Sequence, residues 1–222
     1  MLAALGHAGG QGTSHWSQRE LWSPSRVPEV NTREVPKWME DGDISAVVAG
    51  FATAAAAAVA AGCDGVDVNA GQYSLVRQFL SGLTNQRDDQ WGSDRMSFVR
   101  EVLRAVRGAI GPDAVLGLRL SCDELAPWAG ITPEQAPELA ASIVTDESAV
   151  DLLTVVRGSI YSVSATRPDG HTPTGFNLEL TRTVRDAVRA ATDGRVQVVA
   201  QGSIVDVDQA EWAIDDGIAD AV

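Results

Sequence analysis

Lysine is nearly missing from this sequence: Lys37 is the only one in 222 residues. With no lysine at any strand end, a Schiff-base aldolase has no nucleophile to work with. Positive charge of any kind is scarce. Lys+Arg total 17 against Asp+Glu 30, a net charge of −13. Such a surface repels phosphate backbones and argues against a nucleic-acid partner. Cys63 and Cys122 are the only cysteines. Far apart and in no C-x-x-C spacing, they exclude a self-contained iron–sulfur or zinc-thiolate site and argue against a disulfide framework. No metal site is expected. No basic segment followed by an apolar one opens the chain, so no signal peptide is expected. The alanine-rich run 52–61 is too short and too weakly apolar to span a bilayer. The expectation is a cytoplasmic protein without a membrane partner.

What is present describes a globular chain, with 45% hydrophobic and 21% charged residues. A single domain over 1–222 is expected. The opening MLAALG reads as the tail of a strand entering a glycine-rich loop, His7-Ala8-Gly9-Gly10. From Gln11 to Asp43 there is no sustained periodicity, while Trp16, Trp22 and Trp38 predict a packed excursion. A helix is expected from Ile44, with Asp43 as N-cap and Gly62 as C′ glycine. A strand over 64–68 follows. Phe98, Val99, Val102, Leu103 and Val106 recur at helical spacing, with Ser93 as cap and Gly111 as stop.

A strand over 114–120 comes next. Thr132-Pro133-Glu134-Gln135 reads as a capping box opening a helix to about Val144. A strand over 150–156, a long loop 157–177 and a helix to about Thr192 follow. The chain then gives a strand over 196–200, a helix capped by Asp206 and ending near Gly217, and a further strand from Ile218. The strands look like short apolar runs without alternation, as in a parallel sheet buried on both faces.

That repeat leaves a (β/α)8 barrel or an open doubly wound sheet. Polar residues end strand after strand, and no G-x-G-x-x-G opens the first helix, so the α/β barrel is favoured. A full barrel takes about 250 residues. The expectation is therefore a partial TIM barrel lacking about the first two units and the end of the last.

The stretch Gly62 to Arg95 is the most distinctive. A strand, Gly65-Val66-Asp67-Val68, breaks into a polar mouth, Asn69-Ala70-Gly71-Gln72-Tyr73, followed by Leu75–Leu80 and a run of amides and charges. Ligands bind at such strand ends in parallel α/β proteins. Gly62-x-Asp64-Gly65-Val66-Asp67-Val68, Leu75-Val76-Arg77-Gln78-Phe79-Leu80 and Asn85-Gln86-Arg87-x-Asp89-x-Trp91-Gly92 follow a pattern of roughly GxDGVEI…LLxQFL…NxRxDxWGGS. This resembles the old yellow enzyme and 2,4-dienoyl-CoA reductase family of NADH:flavin oxidoreductases. His7-Ala8-Gly9, Gly117 to Ser121 and Gln201-Gly202-Ser203 agree in order. The resemblance runs from about the family's third barrel strand to the start of its eighth. The wording around HAGGQG and GQYSLVRQFLSGLTNQR further resembles the subgroup associated with mycofactocin gene clusters.

The resemblance implies an FMN-dependent oxidoreductase of the ene-reductase type, with NAD(P)H as reductant and a small-molecule substrate carrying an activated double bond. A homo-oligomer is compatible with it. Two alternatives stand beside it: a non-catalytic truncated remnant, and a different phosphate-binding TIM-barrel enzyme. By resemblance, Arg119 lies at the flavin N1–C2 edge and stabilises the reduced, anionic flavin. The competing assignment is a strand-end arginine paired with an acid on a neighbouring strand. Gly202 and Ser203 fall where the family binds the FMN phosphate through backbone N–H groups, and His7 matches a histidine near the flavin. Ala4 and Gly10 replace the family's glutamine and arginine around it. Asn69 and Gln72 take the places of residues that hydrogen-bond the substrate carbonyl. Ser74 occupies the position of the proton-donating tyrosine, so Tyr73 is the candidate donor and Tyr161 a second.

Overall fold

A computed structural model describes residues 1–146, 150–162, 166 and 169–222; the Trp16 side chain and parts of the 157–177 loop lie outside the described residues. The elements in order are β1 (Leu2–Leu5), α1 (Ser14–Ser17), β2 (Trp22–Ser23), β3 (Lys37–Trp38), α2 (Asp41–Ala60), β4 (Gly65–Ala70), α3 (Leu75–Leu80), α4 (Gln90–Ser93), α5 (Ser97–Ile110), β5 (Val115–Ser121), α6 (Ala136–Val144), β6 (Leu152–Val156), α7 (Leu178–Thr192), β7 (Gln197–Ala200) and α8 (Val207–Asp215). β1, β4, β5, β6 and β7 form one sheet in chain order, and every neighbouring pair is parallel. A bridge from Val199 to Ala221 begins a further strand. A doubly wound sheet reverses its strand order at a switch point. Here the order never reverses, which is the wall of a (β/α)8 barrel.

The strands do alternate, contrary to the sequence expectation. On the helix-covered side Val66, Val68, Leu116, Leu118, Leu120, Leu153, Val155 and Val198 are fully buried. On the opposite, concave side Asp67, Asn69, Arg119 and Thr154 are only half-buried. Two polar residues in β4 and one in β5 sit too close to the loop for their period of two to stand out in so short a run. Truncating any of the buried leucines to alanine costs about 2–5 kcal/mol in a core of this kind.

Three helix starts differ from expectation. α2 begins at Asp41 with Glu40 as cap, and Asp43 sits three residues in, where its Oδ2 accepts from the Glu40 N–H at 2.9 Å. Ser93 ends α4, while α5 starts at Ser97. Residues 132–135 form a separate turn, closed by Gln135 N–H to the Thr132 carbonyl, and α6 starts at Ala136 with Pro137 in its first turn. Gly62 and Gly111 do stop their helices, at φ +96° and +75°. The 20 residues of α2 are long and apolar enough, by length and composition, to cross a membrane. The run 52–61 alone falls short of that, and the difference arises because the helix extends back to Asp41. Ile44, Val47, Phe51 and Ala55 are the residues it buries, and it packs along α5, β1 and β4.

The segment 81–95 is a brace. Asn85 is buried and its Nδ2 donates to the carbonyls of Phe79 (2.7 Å) and Trp91 (2.8 Å). Arg87 donates through Nη1 to the carbonyls of Pro24 (3.1 Å) and Met39 (2.8 Å), pairs with Asp89, and lies 4.1 Å from the Trp38 ring centre. Asp89 in turn caps α4 by accepting from the Trp91 N–H. The excursion is thus anchored at its stem, around a two-stranded parallel ribbon of β2 and β3, although Trp38 stays 38% exposed and the Trp16 side chain lies outside the described residues.

Candidate functional site

The register aligns Asn69, Arg119 and Thr154 across β4, β5 and β6. All three lie on the concave face, Asn69 and Arg119 in the carboxyl-terminal halves of their strands and Thr154 at the middle of β6; barrel sites are built at the carboxyl ends. Arg119 Nε and Nη2 each stand 3.4 Å from Asp67 Oδ2, and Nη1 donates to Gln201 Oε1. Arg119 is thus paired with an acid on the neighbouring strand, as the competing assignment has it, and lies on the concave face. Burial pushes the Asp67 carboxyl above the usual carboxylate range, with the Arg119 charge pulling the other way.

The mouth is held in shape by short polar loops. Asn69 Oδ1 accepts from the Gly71 N–H at 2.8 Å. Among the described residues its Nδ2 has no protein partner, so the amide keeps a free donor. Gln72 turns the other way and donates through Nε2 to the Arg157 carbonyl at 2.9 Å. Ser74 caps α3, accepting from the Val76 N–H at 3.1 Å and donating to the Asn69 carbonyl. The serine at the tyrosine position is thus a structural cap. Tyr73 beside it is 39% exposed. Tyr161 is equally exposed but lines a void of about 10 Å³ with Gln11, Glu29 and Gln78. Burial raises its phenol above the ordinary value.

Gly202 (φ +135°) and Ser203 (φ +51°) turn the chain after β7. Asn177 pins the turn through Nδ2, donating to the carbonyls of Val155 and Gln201 at 3.0 Å each. The Gly202 and Ser203 N–H groups have no protein acceptor among the described residues, and they border a cavity of about 180 Å³ shared with Gln72, Arg157 and Phe176. Free N–H groups at a strand end are what an anion needs.

His7 stands on the β1 side. Its Nδ1 accepts from the Gly9 N–H at 3.0 Å and its ring stacks on Trp22 at 6.5 Å. Burial pushes its pKa below the ordinary value. Gln78 staples the glycine loop, accepting from the Gly10 N–H at 2.9 Å and donating to the Ala8 carbonyl at 2.8 Å. A Cβ at Gly9 would fall 2.5 Å from Gln78 Oε1, so glycine is required there.

The structure brings Asn69 and Arg119 side by side and places Gln72 with Gly202 and Ser203. His7 is not brought to either group: it borders a cavity lined by Trp22 and the α2 residues Ala46, Val47 and Phe51, while the neighbouring Gly6 is the residue that lies beside Asn69. Asp67 and Gln201, which hold Arg119, were not singled out by sequence. Asp67 could have been, as a charged residue two before Asn69 and therefore on the same strand face. The two cysteines are unpaired; burial pushes the Cys122 thiol up to about 12.

The sequence profile of the NADH:flavin oxidoreductase / NADH oxidase family matches residues 5–222. A metal reductase of Desulforamulus reducens is 31% identical over 225 residues, which cover 100% of this chain and 32% of that protein. The NADPH dehydrogenase of Clostridium acetobutylicum is 28% identical over 223 residues, covering 98% of this chain and 60% of that protein. Among solved structures, morphinone reductase in complex with tetrahydroNAD superposes with a TM-score of 0.76 at 25% identity, over 100% of this chain and 60% of that one. A 2-naphthoyl-CoA reductase superposes with a TM-score of 0.82 at 24% identity, over 98% and 34%. This chain thus spans between about a third and three-fifths of the length of these relatives.

Proposed function

Since the chain belongs to the NADH:flavin oxidoreductase / NADH oxidase family, we propose that it works as an FMN-dependent oxidoreductase of the ene-reductase type, reducing an activated C=C bond of a small molecule at the expense of NAD(P)H. FMN with NAD(P)H as reductant is the chemistry of the family. Residues 1–222 act in it as a single, incomplete FMN-binding barrel domain, in the cytoplasm. The observation that carries the proposal is Arg119, a cation on the concave face at a strand end, with unsatisfied N–H donors at the Gly202–Ser203 turn.

These residues fit the cofactor. Arg119 would meet the electron-rich edge of the isoalloxazine, and the free N–H groups of Gly202 and Ser203 would take the phosphate. For His7 a place near the flavin rests on the family resemblance alone, since its ring is engaged by the Gly9 N–H and Trp22. The chemistry FMN supplies when bound is hydride transfer from NAD(P)H to the substrate carbon; the protein supplies orientation and electrostatics.

Asn69 Nδ2 donates to the substrate carbonyl and draws electron density from the conjugated double bond. Gln72 is the second amide at the mouth; the Arg157 carbonyl fixes its orientation. Tyr73 gives its phenolic proton to the carbon that does not receive the hydride. Tyrosine is among the side chains that serve as general acids.

The test is the purified protein's absorbance and turnover. Flavin bands in the visible range, and NADPH or NADH oxidation that depends on an added α,β-unsaturated carbonyl compound, are expected. A colourless protein that takes up no added FMN would sink the enzyme proposal in favour of a non-catalytic remnant.

A further inference from the structure

Arg119 is not simply a cation facing the mouth. Its Nε and Nη2 converge on a single oxygen, Asp67 Oδ2, at 3.4 Å, while Nη1 is held by Gln201. The carboxylate has room only because its cross-strand partner is Gly117. A Cβ at 117 would lie 2.9 Å from Asp67 Oδ1 and 3.4 Å from its Cα. A polar strand residue lying over an opposed glycine is a fitted arrangement, since any larger residue at 117 would push the carboxylate aside. The Asp67 side chain is 14% exposed and that of Arg119 is 32% exposed, so solvent screens the pair incompletely.

We propose that Asp67 is a positioning residue for Arg119: it fixes the guanidinium over the concave face and offsets its charge, and so holds down the reduction potential of a flavin bound there. The proposal rests on the assignment of the site to FMN. Hydride uptake from NAD(P)H adds one negative charge to the flavin and leaves NAD(P)+. A cation at the flavin edge favours that uptake, and a carboxylate behind the cation opposes it. Burial already disfavours the ionised carboxyl at position 67, and the Arg119 charge is what counteracts that. The arrangement therefore couples two groups, neither of which need touch the substrate.

The experiment compares the midpoint potential of bound FMN in the wild type and Asp67→Asn. The amide keeps the shape and removes the charge, so a shift to more positive potential is expected. An unchanged or more negative potential overturns the proposal, and a residue with a purely structural role would leave the potential in place. A second measurement needs no flavin: the Asp67 carboxyl is titrated by 13C NMR in the wild type and in Arg119→Gln. Loss of Arg119 is expected to raise the carboxyl pKa, and an unmoved titration overturns the pairing. If the wild type holds no FMN, the functional assignment fails by itself, and the carboxyl titration still decides whether Asp67 and Arg119 act together.

Discussion

Arg77 of α3 and Glu124 of the loop after β5 are both fully buried and joined by a direct ion pair between Nη1 and Oε1. Glu124 Oε2 also accepts from the Ile131 N–H at 2.9 Å, while Arg77 Nε and Nη2 have no partner among the described residues. Breaking one side of such a pair leaves an uncompensated buried charge, at about 3–5 kcal/mol. Glu124→Leu is expected to lower the urea midpoint accordingly. Arg77→Met combined with Glu124→Leu should recover most of the loss. A double variant no more stable than the single one would refute the ion-pair account.

Gly202 sits at φ +135°, and a Cβ there would approach Asn177 Cβ and the Phe176 ring at 3.1 Å. Gly202→Ala is expected to cost about 1–3 kcal/mol through backbone strain. It should also displace the two free N–H groups. Titration with FMN and with riboflavin separates the effects: FMN affinity should fall while riboflavin, lacking phosphate, is bound as before.

His7 is half-buried and its pKa is lowered by desolvation. The unfolded chain therefore binds its proton at a higher pH than the folded one. Its contribution to stability is complete above the unfolded value of about 6.5 and is lost as pH falls below it. Thermal midpoints recorded from pH 8 down to pH 5 should decline in the wild type. The decline between pH 7 and 5 should be shallower in His7→Gln, because carboxylates such as Asp43 and Asp89, with lowered pKa values, act at lower pH. Parallel curves for the two proteins would show that His7 plays no part.

Asn69 keeps a free Nδ2 while its Oδ1 is engaged by the Gly71 N–H. Removing a hydrogen-bond donor to a developing oxyanion costs about 10²–10³ in turnover. Asn69→Ala is expected to lower kcat for an enone by about that factor without loss of bound flavin. Equal loss of flavin and activity would instead mean that the residue shapes the mouth.

Much of the architecture was legible because it is written in local signals. The helical spacing of Phe98 to Val106 and the stops at Gly62 and Gly111 needed no tertiary context. The 132–135 box misled because its proline and glutamate also suit a tight turn, and the chain uses them for one before α6 begins. The ribbon of Trp22-Ser23 and Lys37-Trp38 left no trace, since two residues per strand carry no period. The site was legible in its residues more than in its geometry. Arg119 was marked by being polar in an apolar strand, and Asn69 by opening the polar mouth after Val68, although β4 runs on through it to Ala70. That Asp67 and Gln201 hold Arg119, and that Ser74 is spent on capping α3, depends on register and on which neighbour is glycine. A single sequence does not display those relations.

The Arg87 guanidinium grips the carbonyls of Pro24 and Met39, the Asp89 carboxylate and the Trp38 ring at once. The stem of the 11–43 excursion is therefore fastened to the same segment that follows the mouth. Its tip, residues 27–30, borders Tyr161 and Gln78 over the rim. Stem and tip are thus secured separately: Arg87 holds the stem, while the buried Glu29 carboxylate ties the tip by accepting from the Asn31 and Thr32 N–H groups. Loss of the one guanidinium would therefore loosen the stem while leaving the tip's own ties intact.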